Sequence, residues 1–220
     1  MSTHFIHLLD ELRRRSLRMA SEVEDMVSEA CDAVFLADQA LARRIIARDE
    51  EVDSAEVAVE AEVIRLLALY QPVGIDLRTL CTILKVNNDL ERVADCAVNL
   101  AERAKHGQLQ PLAQQSAELK QMCPVVRAAL RGAVQAYSLT DADAARRIRE
   151  QDSGIDALYA QIVRNVVAVV DASPEDVAGY LDLLSVAKNL ERIADHATNI
   201  AEDVIFLATG QIVRHRHGPL

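Results

Sequence analysis

Asn88–Glu102 reads NDLERVADCAVNLAE, and this segment sets the architecture of the chain because it occurs twice. A hundred residues later, Lys188–Glu202 reads KNLERIADHATNIAE. Nine of the fifteen aligned positions are identical. A long internal repeat of this kind marks a structural unit, so the two copies are expected to fold alike.

The repeat extends beyond this motif toward the N-terminus of each copy. Ala42–Ile45 and Ala145–Ile148 both read ARRI, at an offset of 103 residues. Two aspartate pairs keep that offset: Asp49 with Asp152, and Asp53 with Asp156. The chain is therefore interpreted as two copies of one unit, with the boundary near Gln108.

The composition is that of a helical bundle. Half of the residues are apolar, only 3% are aromatic, Trp is absent, and Gly and Pro number seven and five. Helix-forming residues dominate, and apolar residues recur at helical spacing. We therefore predict an all-α fold of two tandem, sequence-related three-helix bundles, built from six long antiparallel helices. The predicted domains are residues 1–107 and 108–210, followed by a flexible tail at 211–220.

Local signals predict the ends of the helices. Asp38 is the predicted N-cap of a second helix from Gln39 to Tyr70, which Pro72 and Gly74 end. In the second unit we predict a helix from Pro111 to about Ser138, with either a kink or a late start at Pro124. Thr140 and Asp143 resemble a capping box, and Ser173–Asp176 carries a helix start signal.

The charge and hydropathy of the chain narrow its function class. The net charge of -10 at pH 7 argues against binding a nucleic-acid backbone over a broad surface and suits the binding of cations. No apolar run approaches the roughly 18 residues that a membrane span needs. The most apolar candidate, Ile162–Val170, contains Arg164 and Asn165. We expect a soluble cytoplasmic protein.

The cysteines carry no recognisable metal or redox motif. None of them forms a C-x-x-C pair, and each lies in a helical pattern. We interpret them as small apolar core residues of a protein in a reducing compartment, rather than as disulfides or thiolate ligands. They are Cys31, Cys81, Cys96 and Cys123.

Carboxylates lie beside the apolar arc of each motif helix. At 100° per residue, the side chains of Glu91, Asp95, Asn99 and Glu102 fall within roughly 80° of one another. The second copy repeats the arrangement with Glu191, Asp195, Asn199 and Glu202. Such acids form either a solvated face paired locally with Arg92 and Arg192, or an oxygen-rich site for a hard cation such as Mg²⁺, Mn²⁺, Ca²⁺ or iron.

Several of these motifs together resemble the PhoU family of phosphate-regulon regulators, over nearly the whole chain. They are Pro72 with Asp76–Arg78, LERxxD at 90–95, LERIADHAxNIAE at 190–202 and VIFLxTG at 204–210. The resemblance implies two three-helix bundles, often in a homodimer. It also implies an adaptor role with the phosphate ABC transporter and a membrane sensor kinase, which holds the phosphate-starvation response off when phosphate is plentiful.

The resemblance also implies which residues would bind metal ions. The metal-bearing E/D-x-x-x-D motifs of the family correspond here to Asp49, Asp53, Glu91 and Asp95 in the first unit, and to Asp152, Asp156, Glu191 and Asp195 in the second. The two copies differ at Cys96 against His196 and at Asp89 against Asn189. The two sites are therefore expected to differ in affinity, and a symmetric ligand role for His196 is not expected.

The leading function hypothesis is a non-enzymatic cytoplasmic adaptor that regulates phosphate uptake and binds divalent or trivalent metal ions. The sequence contains no nucleophile with a matched base and no Gly-rich phosphate loop. Membrane association is expected only through its partners. Two alternatives stay open: an accessory regulator of another phosphate permease, and a di-metal carboxylate oxidase. The oxidase needs Glu-x-x-His motifs, which the sequence lacks.

Overall fold

The computed structural model describes residues 3–150, 152–172 and 177–213, and for residues 152, 153, 171 and 172 it describes the backbone alone. Within that part of the chain every element is an α-helix. The helices are α1 (Thr3–Leu36), α2 (Gln39–Tyr70), α3 (Gly74–Ala104), α4 (Leu109–Gln115), α5 (Ala117–Leu139), α6 (Ala142–Glu150), α7 (Asp152–Ala172) and α8 (Val177–Thr209).

The first unit is the predicted three-helix bundle, in which α1, α2 and α3 pack against one another. Asp38 caps α2 as predicted, because its carboxylate accepts the N–H groups of Ala40 at 3.0 Å and Leu41 at 2.9 Å. The turn into α3 uses left-handed backbone, with φ of 43° at Gln71 and 61° at Gly74. Gly74 adopts this conformation without the steric cost of a Cβ.

The second unit departs from the prediction at two helix ends. The helix predicted from Pro111 is divided at Ser116, whose hydroxyl accepts the N–H of Leu119 at 3.1 Å and begins α5. Pro124 lies within α5, which continues past it, so the division occurs at the serine cap rather than at the proline. The Ser173–Asp176 start signal lies outside the described residues.

The predicted capping box at Thr140 and Asp143 is wrong. Thr140 follows α5 with φ of 54°, and it is Asp141 that accepts the N–H groups of Asp143 and Ala144 at 3.0 and 2.9 Å. Asp141 stands 103 residues after Asp38, so the same residue type caps the equivalent helix of each unit. The N-terminal donors of α6 are thereby satisfied in the same way as those of α2.

The two motif helices lie at the centre of the molecule. The helix α3 packs against α1 and α2, the helix α8 packs against α5, α6 and α7, and α3 and α8 pack against each other. They are antiparallel, because Lys85 of α3 pairs with Asp203 at 3.0 Å while Arg103, further along α3, approaches Asp182 at 3.5 Å.

The predicted apolar arc of the motif is confirmed as the core face of both helices. Its first-copy members are at most 3% exposed: Leu90, Val93, Ala94, Ala97, Leu100, Ala101 and Ala104. The alanines allow α3 to approach its neighbours closely, and each buried leucine or valine contributes about 1.5–3 kcal/mol of hydrophobic stabilisation. The acidic arc beside it is thereby left at the rim of each bundle.

A second contact between the units joins α1 to α5, which are also equivalent helices. The buried hydroxyls of Ser16 and Tyr137 lie 3.0 Å apart, and Arg131 pairs with Glu24 at 2.7 Å. Both interfaces therefore join equivalent elements of the two copies. Beyond α8, Val213 is only 1% exposed and belongs to the core, whereas residues 214–220 of the predicted tail lie outside the described residues.

The expectation that no segment is apolar enough to cross a membrane is wrong in one place. By length and composition alone, residues 142–170 meet that requirement. In the fold, α7 packs against α5 and α8 and buries Ile155, Ile162 and Val166. Its outer side carries the exposed Val167 and Val169. The high hydropathy thus reflects a bundle helix that is apolar on its buried face and partly apolar on its exposed face.

Candidate metal centres

Four carboxylates of the first unit face one another where α2 packs against α3, and we call Asp49, Asp53, Glu91 and Asp95 the first acidic centre. Asp49 and Asp53 lie one turn apart on α2, and Glu91 and Asp95 lie one turn apart on α3. The charge of Asp95 acts on Asp49, and the charge of Asp53 acts on Glu91, so the interaction crosses between the helices.

The electrostatics of the first acidic centre favour a bound cation. Burial, followed by the charges of Asp53, Asp95 and Glu102, raises the pKa of Asp49 above its ordinary value. Burial and the neighbouring charge of Asp95 likewise raise the pKa of Glu91. Carboxylates that are crowded in this way repel one another, and a cation placed among them would relieve that repulsion.

The first acidic centre contains an unpartnered carboxylate oxygen and is only partly neutralised by Arg92. One carboxylate oxygen of Asp49, Oδ1, is buried and accepts no hydrogen bond from the described residues. Such an oxygen lacks the partner that a buried acceptor normally has. Arg92 gives the centre only partial neutralisation, since its nitrogens lie 3.2 Å from Glu91 and 3.6 Å from Asp95 and its side chain is 49% exposed. The donor set, all oxygen, is the one that Mg²⁺, Mn²⁺ and Ca²⁺ prefer.

The second unit brings its carboxylates together at the equivalent place, and we call Asp156, Glu191 and Asp195 the second acidic centre. One oxygen from each of the three lies within 4.8 Å of the others. Asp156 comes from α7 and the other two come from α8. The side chain of Asp152, the fourth residue implied by the repeat, lies outside the described residues.

The second acidic centre differs from the first in having a lysine in close contact with one of its carboxylates. Lys188 Nζ lies 2.5 Å from Glu191 and 5.3 Å from the centre of the Tyr159 ring. This hydrogen bond to Glu191 raises the pKa of Lys188. The equivalent positions in the first unit are Asn88 and Glu56. A neutral amide and a carboxylate in one copy are thus replaced by an ammonium group and a phenol in the other.

His196 lies away from both acidic centres. Its Nδ1 is 2.8 Å from Asp89 Oδ1, across the contact between α3 and α8, and Asn199 donates to the same oxygen at 3.2 Å. Its counterpart Cys96 is buried, and burial raises the pKa of that thiol to about 11. Asp89 and His196 each differ from the equivalent residue of the other copy. They contact each other between the two units, so His196 is engaged with Asp89 rather than with an acidic centre.

The cysteines are free thiols, as expected. Cys31, Cys96 and Cys123 are buried in the core, and Cys81 is half-buried. The acidic arc derived from the sequence included Glu102, whose charge acts on Asp49, but sequence reasoning missed Glu56, whose charge acts on Glu91. Glu56 follows Asp53 by three residues, a helical spacing that would have identified it.

Comparisons with known proteins agree with the doubled motif. The family model described as "PhoU domain" matches residues 16–104 and 119–204. A phosphate-specific transport system accessory protein PhoU homolog from Xylella fastidiosa is 36% identical over 205 residues, which cover 92% of this chain and 85% of that protein. One copy of the domain thus falls in each unit of the fold.

Solved structures show the same architecture. The crystal structure of PhoU from Pseudomonas aeruginosa superimposes with a TM-score of 0.89 at 32% identity, over 94% of this chain and 100% of that one. The phosphate transport system regulatory protein PhoU from Streptococcus pneumoniae gives a TM-score of 0.87 at 29% identity, over 95% and 99% of the two chains. Motif, fold and similarity to these proteins agree, and the chain belongs to the PhoU family.

Proposed function

We propose that this protein regulates phosphate uptake and phosphate-starvation signalling as a cytoplasmic, non-enzymatic adaptor between the phosphate ABC transporter and a sensor histidine kinase. The observation that carries the proposal is the family membership of both units, since relatives over this length are named as accessory proteins of a phosphate-specific transport system. The adaptor role and the kinase go beyond those names and rest on the family resemblance.

The two acidic centres are proposed to bind divalent or trivalent metal ions, with Mg²⁺, Mn²⁺, Ca²⁺ and iron as the candidates. The proposed ligands are Asp49, Asp53, Glu91 and Asp95 in the first centre, and Asp152, Asp156, Glu191 and Asp195 in the second. In the second centre the support is the gathering of three carboxylate oxygens from two helices within 4.8 Å of one another. In the first centre it is the action of carboxylate charges across α2 and α3, together with the unpartnered oxygen of Asp49. A cation there would join α2 to α3 and α7 to α8.

A bound ion is expected to stabilise the fold because it binds the native arrangement and not the unfolded chain. At a metal concentration 100 times the dissociation constant, the gain is about 2.7 kcal/mol. A bound ion would hold the two helices at each bundle rim in one arrangement, and metal binding would thereby affect the surface that a partner contacts. Thermal unfolding with and without Mn²⁺ measures it directly, and an unchanged midpoint would exclude a tight site.

The regulatory role is tested by deleting the gene and measuring the expression of phosphate-scavenging genes at high phosphate. Derepression on deletion, restored to repression by the wild-type gene, is the expected result. A matched complementation uses the Glu91→Ala/Asp95→Ala variant, whose substitutions leave the buried face of α3 intact. If expression at high phosphate is unchanged by deletion, the proposed role is wrong.

The partner and the oligomeric state are tested by two further experiments. Capture of the tagged protein from membranes at high and low phosphate should recover the phosphate ABC transporter and the sensor kinase. Recovery of a different phosphate permease would assign the protein to that system instead. We propose a homodimer by analogy with the family, and light scattering of the purified chain should give twice the 24.2 kDa of one copy.

A further inference from the structure

A cavity of about 700 Å³ lies between α3 and α8, at the contact between the two units. It differs from the acidic centres in its lining, to which both copies of the repeat contribute cationic side chains. The helix α3 provides Lys85 and Arg92, and the helix α8 provides Arg192, with the imidazole ring of His196 beside it. Arg92 and Arg192 occupy equivalent positions of the repeat, so one arginine from each unit reaches the same space.

The carboxylates in the lining are already occupied by protein partners. Asp89, which is 6% exposed, accepts from His196 at 2.8 Å and from Asn199 at 3.2 Å. Glu202 pairs with Arg149 at 3.1 Å, and its side chain is 12% exposed. Glu202 thus has a charged protein partner and Asp89 is hydrogen-bonded by an imidazole and an amide. Among the described residues neither carboxylate forms an ion pair with Arg92 or Arg192.

The arginines retain capacity for a ligand. Among the described residues, no carboxylate oxygen is paired with the guanidinium group of Arg192, which is half-buried. Arg92 is half-exposed, and its contacts to Glu91 and Asp95, at 3.2 and 3.6 Å, are longer than a strong charge-assisted hydrogen bond. Lys85 is paired with Asp203 at 3.0 Å, so the two arginines carry the positive charge that is available to a ligand.

We propose that this cavity binds a phosphate group, either as inorganic phosphate or as a phosphomonoester. The planar guanidinium of an arginine donates two parallel hydrogen bonds to phosphate oxygens, and two arginines from opposite walls would hold the anion between the units. The amide of Asn88 also faces the cavity, and His196 keeps Nε2 available because Nδ1 contacts Asp89.

The volume of the cavity is large enough for an organic phosphate as well as for inorganic phosphate. A cavity of this size is in the range that accommodates a small organic ligand, which leaves room for the organic part of a phosphomonoester. The assignment of phosphate, rather than another oxyanion, rests on the proposed function of the protein. The proposal of an anion site rests on the lining residues alone. An experiment can therefore reject the proposed cellular role without rejecting the anion site.

The test is isothermal titration calorimetry of the purified, metal-free full chain with inorganic phosphate, AMP and sulfate at equal ionic strength. We expect saturable binding of phosphate or AMP, and weaker binding of sulfate. Arg192→Gln should weaken the affinity at least tenfold, and Arg92→Gln should weaken it several-fold. The matched control is Arg43→Gln, at an exposed arginine of α2 outside the cavity, which should change the affinity less than twofold.

Circular dichroism and thermal unfolding establish whether each variant is folded. If Arg192→Gln does not fold, Arg92→Gln still tests the site. Tighter binding of AMP than of inorganic phosphate supports the site and identifies a phosphomonoester ligand; the reverse order supports the site and identifies free phosphate. The inference is overturned by absence of saturable binding, by arginine variants that bind as the wild type does, or by equal affinity for sulfate. Binding without cellular repression leaves the site intact and rejects the proposed function.

Discussion

The first and second acidic centres present the same motif in different electrostatic surroundings. In the first, Asn88 and Glu56 occupy the positions where the second has Lys188 and Tyr159. Lys188 lies 2.5 Å from Glu191 and neutralises it, while Glu91 has only the longer contact to Arg92 at 3.2 Å. The residues that flank a duplicated motif thus set its charge balance. The spacing of the carboxylates also differs, because among the described residues three oxygens lie within 4.8 Å of one another in the second centre and not in the first.

This difference has a direct consequence for metal binding. An ion at the second acidic centre has to compete with Lys188 for Glu191, whereas an ion at the first relieves repulsion that Arg92 compensates only in part. We therefore expect the first centre to be the tighter of the two. Three predictions test this comparison of the centres, and a fourth, with the smallest expected effect, compares the helix caps of the two copies.

The largest effect is expected from removing carboxylates of the first acidic centre. Glu91→Ala/Asp95→Ala should weaken the tight Mn²⁺ site at least tenfold, which is about 1.4 kcal/mol, because half of its charged ligands are lost. Glu191→Ala/Asp195→Ala is the matched variant and should leave the tight site within about twofold. Calorimetric titration with Mn²⁺ measures both, with circular dichroism as the check on folding. Equal loss in the two variants would contradict the ranking of the centres.

The next prediction exchanges the flanking residue between the copies. Lys188→Asn should raise the Mn²⁺ affinity of the second acidic centre several-fold, because Glu191 loses its close contact with the lysine. Asn88→Lys should lower the affinity of the first centre by a similar factor. Elemental analysis after dialysis against a fixed Mn²⁺ concentration reports both changes. If neither exchange alters the metal content, Lys188 is not the cause of the difference.

The third prediction concerns pH. Because the folded pKa values of Asp49 and Glu91 lie above their ordinary values of 3.8 and 4.5, the native state holds these protons more firmly than the unfolded chain does. Their contribution therefore favours the folded state at low pH and is lost as pH rises through the raised pKa values. The metal-free protein should lose this increment just above the ordinary carboxyl range, and Mg²⁺ should restore it.

The measurement is the thermal midpoint of the wild type and of Glu91→Gln across pH 4 to 7, with and without Mg²⁺. Subtracting the two profiles removes the contribution of other carboxylates. The difference between the thermal midpoints of the two proteins at a given pH should be smaller when Mg²⁺ is present. A difference that does not vary with pH would show that Glu91 does not titrate in this window.

The smallest effect concerns the caps rather than the centres. Asp38 and Asp141 are equivalent residues that accept the same pair of N–H groups at the start of α2 and α6. Replacing either by Ala should cost about 1 kcal/mol of unfolding free energy, by the same amount in both copies. Urea denaturation gives the two values. A difference of more than about 1 kcal/mol would show that the two caps are not equivalent.

Much of the fold follows from the sequence because the repeat constrains it. The apolar arc of α3, the cap at Asp38 and the two units all follow from helical periodicity and the offset of 103 residues. The same offset would have identified Asp141, which local pattern matching missed in favour of Thr140. The division at Ser116 was missed because Pro124 is the stronger break signal, yet a serine N-cap can begin a helix that then continues through a proline.

The candidate sites were predictable only in part. Spacing on a helix places Glu91 beside Asp95, but it does not show that Asp49 approaches them, which depends on how α2 packs on α3. The partner of His196 is Asp89, on a helix a hundred residues away. The cavity that carries Arg92 and Arg192 likewise exists only once α3 and α8 are packed antiparallel. Packing between different helices decides all three, and no local periodicity encodes it.

The most direct test of the central claim is anomalous X-ray diffraction from a crystal of this protein soaked with a limiting amount of Mn²⁺. The account predicts that the strongest anomalous peak lies among Asp49, Asp53, Glu91 and Asp95, with a weaker peak at Asp156, Glu191 and Asp195. A stronger peak at the second acidic centre, or no peak at either, would contradict it.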